Sequence, residues 1–339
     1  MSFWESFVAR LVSFLTLLSR TTLWSLSCTL LLAFCGGFYF YSIGPGTLST
    51  IQIEAAQDKE LRFYVLGDSG TGHRFQWKVA EAMEALCARD GAPDGLILLG
   101  DNIYQSGVQH SRDLLWDRNL FQPYGGYCLS QVPIFPVLGN HDYKGHPDAQ
   151  IELSSLNRRW RMPAPFYRAR FGNILQVIAM DTNRIGLCGS SRNCLLDFIR
   201  TSLEDKEQFR WNIAIGHHPI AHSSVKYRGR GFVAANIRRG ILHRVLCNSV
   251  DGYLSGHVHQ LEHWRDPTCS ADYFISGGGG AKTYQMVKNL PESRFGASKY
   301  GFLAMNVHKD YMKYAFYDER GDILYQFDRL HSKARLSVR

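Results

Sequence analysis

From Thr21 to Ile53 the sequence has no Asp, Glu, Lys, Arg or His. A buried helix of a soluble domain is rarely so free of charge. Other absences narrow the field. No pair of cysteines has CxxC spacing, which excludes a cysteine zinc site. The four glycines Gly277–Gly280 have no Lys-Ser/Thr after them, so they form no P-loop. There is no internal repeat and no long linker. Eleven prolines and 31 glycines are scattered, which excludes a collagen-like chain. No Asn-x-Ser/Thr sequon is present, which leans towards a bacterial envelope over a eukaryotic secretory route. Hydrophobic residues make up 45% and charged residues 20%, so wholesale disorder is excluded as well.

What is there is uneven. Leu23 to Ile43 is apolar and long enough for a bilayer, which takes ~20 such residues as a helix. Trp24, Tyr39 and Tyr41 sit near its ends, where amphipathic rings favour the interface. Arg10 and Arg20 precede it; Glu54, Asp58 and Glu60 follow. The positive-inside rule then gives a cytoplasmic segment 1–20, a transmembrane signal anchor 21–45 and a linker 46–57. A domain outside the cytoplasm (periplasmic, extracellular or lumenal) would span 58–330, with a basic tail 331–339. A cleaved signal peptide is the rival, and Gly44-Pro45-Gly46 is a poor cleavage site for it.

Cys28 and Cys35 fall in the apolar span. Cys87, Cys128, Cys188, Cys194, Cys247 and Cys269 would meet an oxidising compartment, and their even number suits disulfides. Cys188 and Cys194 share one polar loop and are the first expected pair. Small buried apolar residues are the alternative reading of the cysteines.

In the exported part, short apolar runs end in polar clusters. They are Leu61–Leu66, Leu96–Leu99, Ile134–Leu138, Leu175–Met180, Trp211–Ile215, Tyr253–Leu254 and Tyr273–Ile275. Such runs suit strands buried on both faces. Helical patterns lie between them, at Gln76–Ala88, Arg112–Phe121, Ala149–Arg159 and Phe232–Cys247. The alternation predicts an α/β domain with parallel early strands. Gly301–Val307, Tyr311–Asp318 and Ile323–Phe327 then read as antiparallel strands.

Five clusters carry the chemistry: Gly67-Asp68-Ser69-Gly70, Gly100-Asp101-Asn102-Ile103-Tyr104, Gly139-Asn140-His141-Asp142, Gly216-His217-His218-Pro219 and Gly256-His257-Val258-His259. Each follows an apolar run, at the carboxyl end of an expected strand, where α/β sheets bind ligands. Carboxylate, amide, phenol and imidazole without thiolate suit iron, manganese or zinc. Singly, an Asp after Gly is a turn residue and a lone His is structural. Five in this order exceed what turns require.

These motifs resemble the metallophosphoesterase (calcineurin-like) superfamily. The tyrosine of the second motif is similar to its purple acid phosphatase branch. Ser106-Gly107-Val108-Gln109, Pro133–Asp142 and Arg159–Tyr167 resemble the small tartrate-resistant acid phosphatases. The resemblance runs from about Arg62 to Gly280. It implies a four-layer α/β/β/α sandwich of two mixed sheets and two metal ions bridged by Asp101. One ion, Fe(III), would take Asp68, Asp101, Tyr104 and His259. The other, Fe(II), Zn or Mn, would take Asp101, Asn140, His217 and His257. The ligand types agree with that split, since phenolate and carboxylates favour the harder ion.

The implied activity is an acid phosphatase that hydrolyses phosphate monoesters by attack of a metal-bound hydroxide. His141 would contact substrate and is a candidate proton donor to the leaving oxygen. Asp142 would orient a ring or cap the turn. Relatives carry a further histidine nine residues after the one in the fourth motif. Here that position is Lys226, so the donor is open among His141, His222 and Lys226.

The expected partners are a phosphomonoester, small or on a phosphoprotein, and a membrane through the N-terminal helix. The net charge of +8 suits an anionic substrate. Nucleic acid is not expected, since no binding motif supports it, and a monomer is expected. Arg158, Arg159 and Arg161, and Arg228, Arg230, Arg238 and Arg239, read as solvated faces. The rivals are a phosphodiesterase or phosphoprotein phosphatase on the same scaffold, or an inactive membrane-tethered binding protein.

Overall fold

The computed structural model describes residues 48–184, 194–227, 233–287 and 290–331. The expected cytoplasmic segment and anchor lie outside the described residues, as do Cys188 and residues 332–339. Among the described residues no helix is long and apolar enough to cross a membrane.

In chain order the elements are β1 (Thr50–Ile53), β2 (Leu61–Leu66), α1 (Arg74–Asp90), β3 (Gly95–Leu98), β4 (Ile134–Pro136), α2 (Asp148–Leu156), β5 (Tyr167–Phe171), β6 (Leu175–Ala179), α3 (Cys194–Leu203), β7 (Trp211–Ile215), α4 (Val233–Leu246), β8 (Gly252–Ser255), β9 (Leu261–Trp264), β10 (Asp272–Ser276), β11 (Ser293–Ala297), β12 (Gly301–Val307), β13 (Tyr311–Asp318) and β14 (Ile323–Leu330). Two mixed sheets result. One runs β14-β13-β12-β2-β3-β4, and the other β1-β5-β6-β7-β8-β10-β9-β11. In the first, β2, β3 and β4 are parallel and β12 to β14 antiparallel. In the second, β6, β7, β8 and β10 form the parallel centre.

The apolar runs explain the layering. Along β6 and β7, Val177, Ala179, Ile213 and Ile215 join a core shared with Phe63, Val65, Leu303 and Met305 of the other sheet. Ile178, Met180 and Ala214 point the opposite way, onto Phe198 and Ile199 of α3 and Leu242 and Leu246 of α4. A strand with both faces buried has no polar alternation to keep, so it reads as a continuous apolar run. In α1, Val79, Met83 and Leu86 are buried at helical spacing. That helix ends where Gly91, at φ 89, donates its N–H to Cys87 O.

Several elements depart from expectation. The segment 46–57, read as a linker, contains β1, which pairs in parallel with β5. Arg112–Phe121 is turns and one short π-helical turn, Asp117–Phe121, instead of a regular helix. The Asp113 carboxylate accepts from the N–H groups of Gln109 and Leu115, and this local bonding competes with a helix. Strand β5 carries no strand signal in the sequence, because Arg168 and Arg170 look like surface residues. They are nearly buried, and Arg170 donates to both oxygens of Asp205 at 2.7 and 2.6 Å. Arg159 is no solvated face either. It donates to the carbonyls of Val132, Tyr124 and Leu129. Among the described residues two disulfides form, Cys87–Cys128 and Cys247–Cys269; the expected Cys188–Cys194 pair involves Cys188 and lies outside them.

Candidate metal centre

The five motifs lie just past the carboxyl ends of β2, β3, β4, β7 and β8. Three come from the six-stranded sheet and two from the eight-stranded one. The chain turns sharply there. Asp68, Asp101 and His257 have positive φ of 59, 52 and 65°, a region that side chains other than glycine seldom adopt. Gly139 is required by contact, since a Cβ there would stand 2.2 Å from Asp101 Oδ1.

The side chains meet in two groups. In the first, the Tyr104 hydroxyl lies 2.8 Å from Asp101 Oδ2, 3.2 Å from Asp68 Oδ1 and 3.2 Å from His259 Nε2. His259 Nε2 is 3.4 Å from Asp68 Oδ1. In the second, Asn140 Oδ1 lies 3.1 Å from His217 Nε2 and 2.9 Å from His257 Nδ1, and those two nitrogens are 3.2 Å apart. Asp101 belongs to both groups. Its Oδ2 faces Tyr104, and its Oδ1 is 3.5 Å from His217 Nε2. All seven residues expected as metal ligands are therefore brought together.

The donor set fits cations. His217 Nδ1 donates to Leu99 O at 2.8 Å, and His259 Nδ1 donates to Lys282 O at 2.8 Å. Each bond fixes the tautomer and leaves an Nε2 lone pair aimed into the site. The His217 lone pair faces the Asn140 carbonyl oxygen and the Asp101 carboxylate, which are also acceptors. Converging lone pairs with no proton between them are what a cation resolves. Burial, together with the Asp68 and Asp101 charges, holds the Tyr104 phenol well above its ordinary pKa, so it is protonated without a cation.

The other expected residues divide. The buried Asp142 carboxylate accepts from the N–H groups of Asn102, Ile103 and Gly139, so it caps the turns that carry Asp101 and Asn140. His141 is half-exposed beside the centre. Its ring lies 4.4 Å from that of Tyr104, its Nδ1 donates to Gln105 O at 2.6 Å, and its N–H donates to Asp101 Oδ1 at 2.7 Å. His222 is further back, meeting Tyr227 edge-on at 5.8 Å. Burial, with Arg239 adding to it, lowers its pKa to about 4. Above that pH the ring is neutral, and its remaining N–H is a far weaker acid than an imidazolium.

Sequence reasoning missed the wall beside the centre. Tyr284 stacks on His259 at 4.2 Å, and Tyr227 stacks on His257 at 5.1 Å. His218 is buried beside His217 and His257, with Nδ1 2.8 Å from Thr182 Oγ1. Burial, then His257 and His217, hold it neutral. His218 stands in the fourth motif, but for the two tyrosines only the position of Tyr284, four residues past the glycine run, is a hint.

The family model for calcineurin-like phosphoesterases matches residues 61–261. The chain belongs to that family, and the curated proteins it is similar to include purple acid phosphatases and tartrate-resistant acid phosphatases. It is similar to purple acid phosphatase 4 of Arabidopsis thaliana, 27% identical over 91% of this chain and 96% of that protein. Tartrate-resistant acid phosphatase type 5 of Oryctolagus cuniculus is 31% identical, over 54% of this chain and 60% of that one. Among solved structures, purple acid phosphatase PPD1 from yellow lupin shares the fold with a TM-score of 0.64. It is 18% identical over 83% of this chain and 55% of that chain. The family implies a binuclear metal centre, typically with iron.

Proposed function

We propose that this chain is a membrane-anchored acid phosphatase that hydrolyses phosphate monoesters at two metal ions. The observation that carries the reading is the meeting of seven ligand-type side chains in two groups that share Asp101. Asp68, Tyr104 and His259 would hold Fe(III), and Asn140, His217 and His257 would hold Fe(II), Zn or Mn. When bound, such a pair activates the attacking water and neutralises phosphoryl charge.

The protein's own groups do the rest. Asp142 holds the turns that aim Asp101 and Asn140. The Leu99 and Lys282 carbonyls keep His217 and His259 in their ligand tautomers. His141, with Nδ1 tied to Gln105 O, presents Nε2 as the group to pass a proton to the leaving oxygen. His222, held neutral, serves the wall instead. The uncharged span 21–53 supports an anchor, with the catalytic domain outside the cytoplasm and acting as a monomer.

The test is metal analysis, a visible spectrum and a phosphomonoester assay across pH on the full-length protein. We expect a tyrosinate–Fe(III) band and acid phosphatase activity. Tyr104→Phe should lose the colour, and Asp101→Ala should lose both metals. A colourless, metal-free wild-type protein that hydrolyses nothing would sink the reading.

A further inference from the structure

The Cys247–Cys269 disulfide has unequal halves. Cys247 follows the last residue of α4 and is partly exposed, whereas Cys269, in the turn between β9 and β10, is buried. His243 stands one helical turn before Cys247, on the same face of α4. Its Nε2 lies 3.3 Å from Cys269 Sγ and 3.0 Å from Asp266 Oδ2. The other Asp266 oxygen accepts from the Thr268 hydroxyl at 2.6 Å and from the Thr268 N–H at 2.8 Å. Those bonds fix the carboxylate and hold its pKa below the usual range. A buried sulfur is thus backed by an imidazole, and the imidazole by a carboxylate.

This gives the two sulfurs different parts. Thiol–disulfide exchange needs an attacking thiolate, a sulfur that it can reach and a leaving sulfur that can carry charge. Cys247 is the more reachable sulfur, and Cys269 is the one with a partner for charge. Because Asp266 is ionised, Nε2 carries a proton and donates it to that carboxylate, and the disulfide sulfur beside it is a weak acceptor. A thiolate at Cys269 would give the ring a second anion. Between two anions the ring favours its imidazolium form, which in turn stabilises the thiolate. The Cys87–Cys128 disulfide has the opposite surroundings. Cys87 is fully buried, and the Glu84 carboxylate at that junction opposes a further negative charge.

We propose that Cys247–Cys269 is a thiol-exchange site that accepts two electrons from a dithiol, with His243 and Asp266 supporting Cys269 as the leaving sulfur. One thiolate of the dithiol attacks Cys247 Sγ and forms a mixed disulfide there. The Cys247–Cys269 bond breaks, and its electron pair leaves on Cys269 Sγ. The second thiolate then attacks the dithiol's own sulfur in the mixed disulfide, which releases Cys247 and leaves the dithiol oxidised to a disulfide. The protein gains two electrons and the dithiol's two protons, one on Cys247 and one shared by Cys269 and His243. None of these residues belongs to the metal centre, so the site stands apart from the phosphatase reading.

The experiment treats the folded full-length protein with dithiothreitol, alkylates free thiols at intervals and reads each cysteine by peptide mass spectrometry. Cys247 and Cys269 should become labelled about ten-fold faster than Cys87 and Cys128. His243→Gln should slow labelling of the first pair about ten-fold, the size of one charge-assisted hydrogen bond, and leave the second pair unchanged. A variant that merely loosened the fold would be reduced faster, so slowing separates the chemistry from stability. Exchange of the wild type with glutathione, trapped by acid, should place the adduct on Cys247, and this decides the matter if His243→Gln does not fold. Equal rates for the two disulfides, a folded His243→Gln protein reduced as fast as wild type, or a glutathione adduct on Cys269 would each overturn the site. All three leave the phosphatase reading standing.

Discussion

His222 shows how a side chain's surroundings decide its work. Its Nδ1 accepts from Ser224 N–H, which suits a neutral ring. Its folded pKa of about 4 is below the ordinary 6.5. The unfolded chain therefore binds more protons between those values, and stability falls as pH drops through that window. Because the ring is partly exposed, roughly 1 kcal/mol of the linkage should survive between pH 7 and 5. His222→Asn should flatten the loss of urea midpoint over that interval; an equal slope in both proteins would contradict the assignment. The same scale shows what the sequence could carry. Motif ligands are legible because each must follow a strand at a set spacing. Tyr227 and Tyr284 are not, because they pack on the ligand histidines across space, from loops that no periodicity marks.

Elements were legible where burial was two-sided. β2, β7 and β12 read directly because a continuous apolar run leaves few alternatives. β5 did not, since its two arginines are paired instead of solvated. Arg112–Phe121 failed in the other direction, because an aspartate turn outcompeted helical spacing. The Cys87–Cys128 disulfide ties the last turn of α1 to the chain ahead of β4, across 41 residues. Glu84 reinforces the same junction by accepting from the N–H groups of Cys128 and Leu129. Closing a loop of that size restricts the unfolded chain by about 2–4 kcal/mol. Cys87→Ala with Cys128→Ala should lower unfolding stability by about that amount, read from denaturant titration. The ligand side chains are untouched, so metal content at 25 °C should not change.

At the scale of the molecule, the boundary of the folded part is earlier than composition suggested. Ile51 and Ile53 pack against the core, and Thr50 accepts from Arg168. A chain beginning at residue 58 would expose the edge of β5 and strip Arg168 of that partner. It should melt roughly 5 °C below one beginning at residue 46 and show more aggregate on size exclusion. Equal melting would mean that β1 is ornamental. The centre itself draws on both sheets, and the two are interleaved along the chain. β2 to β4 come first, the eight-stranded sheet is laid down next, and only then does β12 return to pair with β2. During synthesis, therefore, Asp68, Asp101 and Asn140 emerge long before His217, His257 and His259. A centre that needs all seven of these residues would be incomplete before residue 259, and β2 waits on residues 301–307 for its second neighbour. A ribosome stalled between those points would hold a half-built chelator with an open sheet edge, a state in which a helper protein or an early cation would matter most.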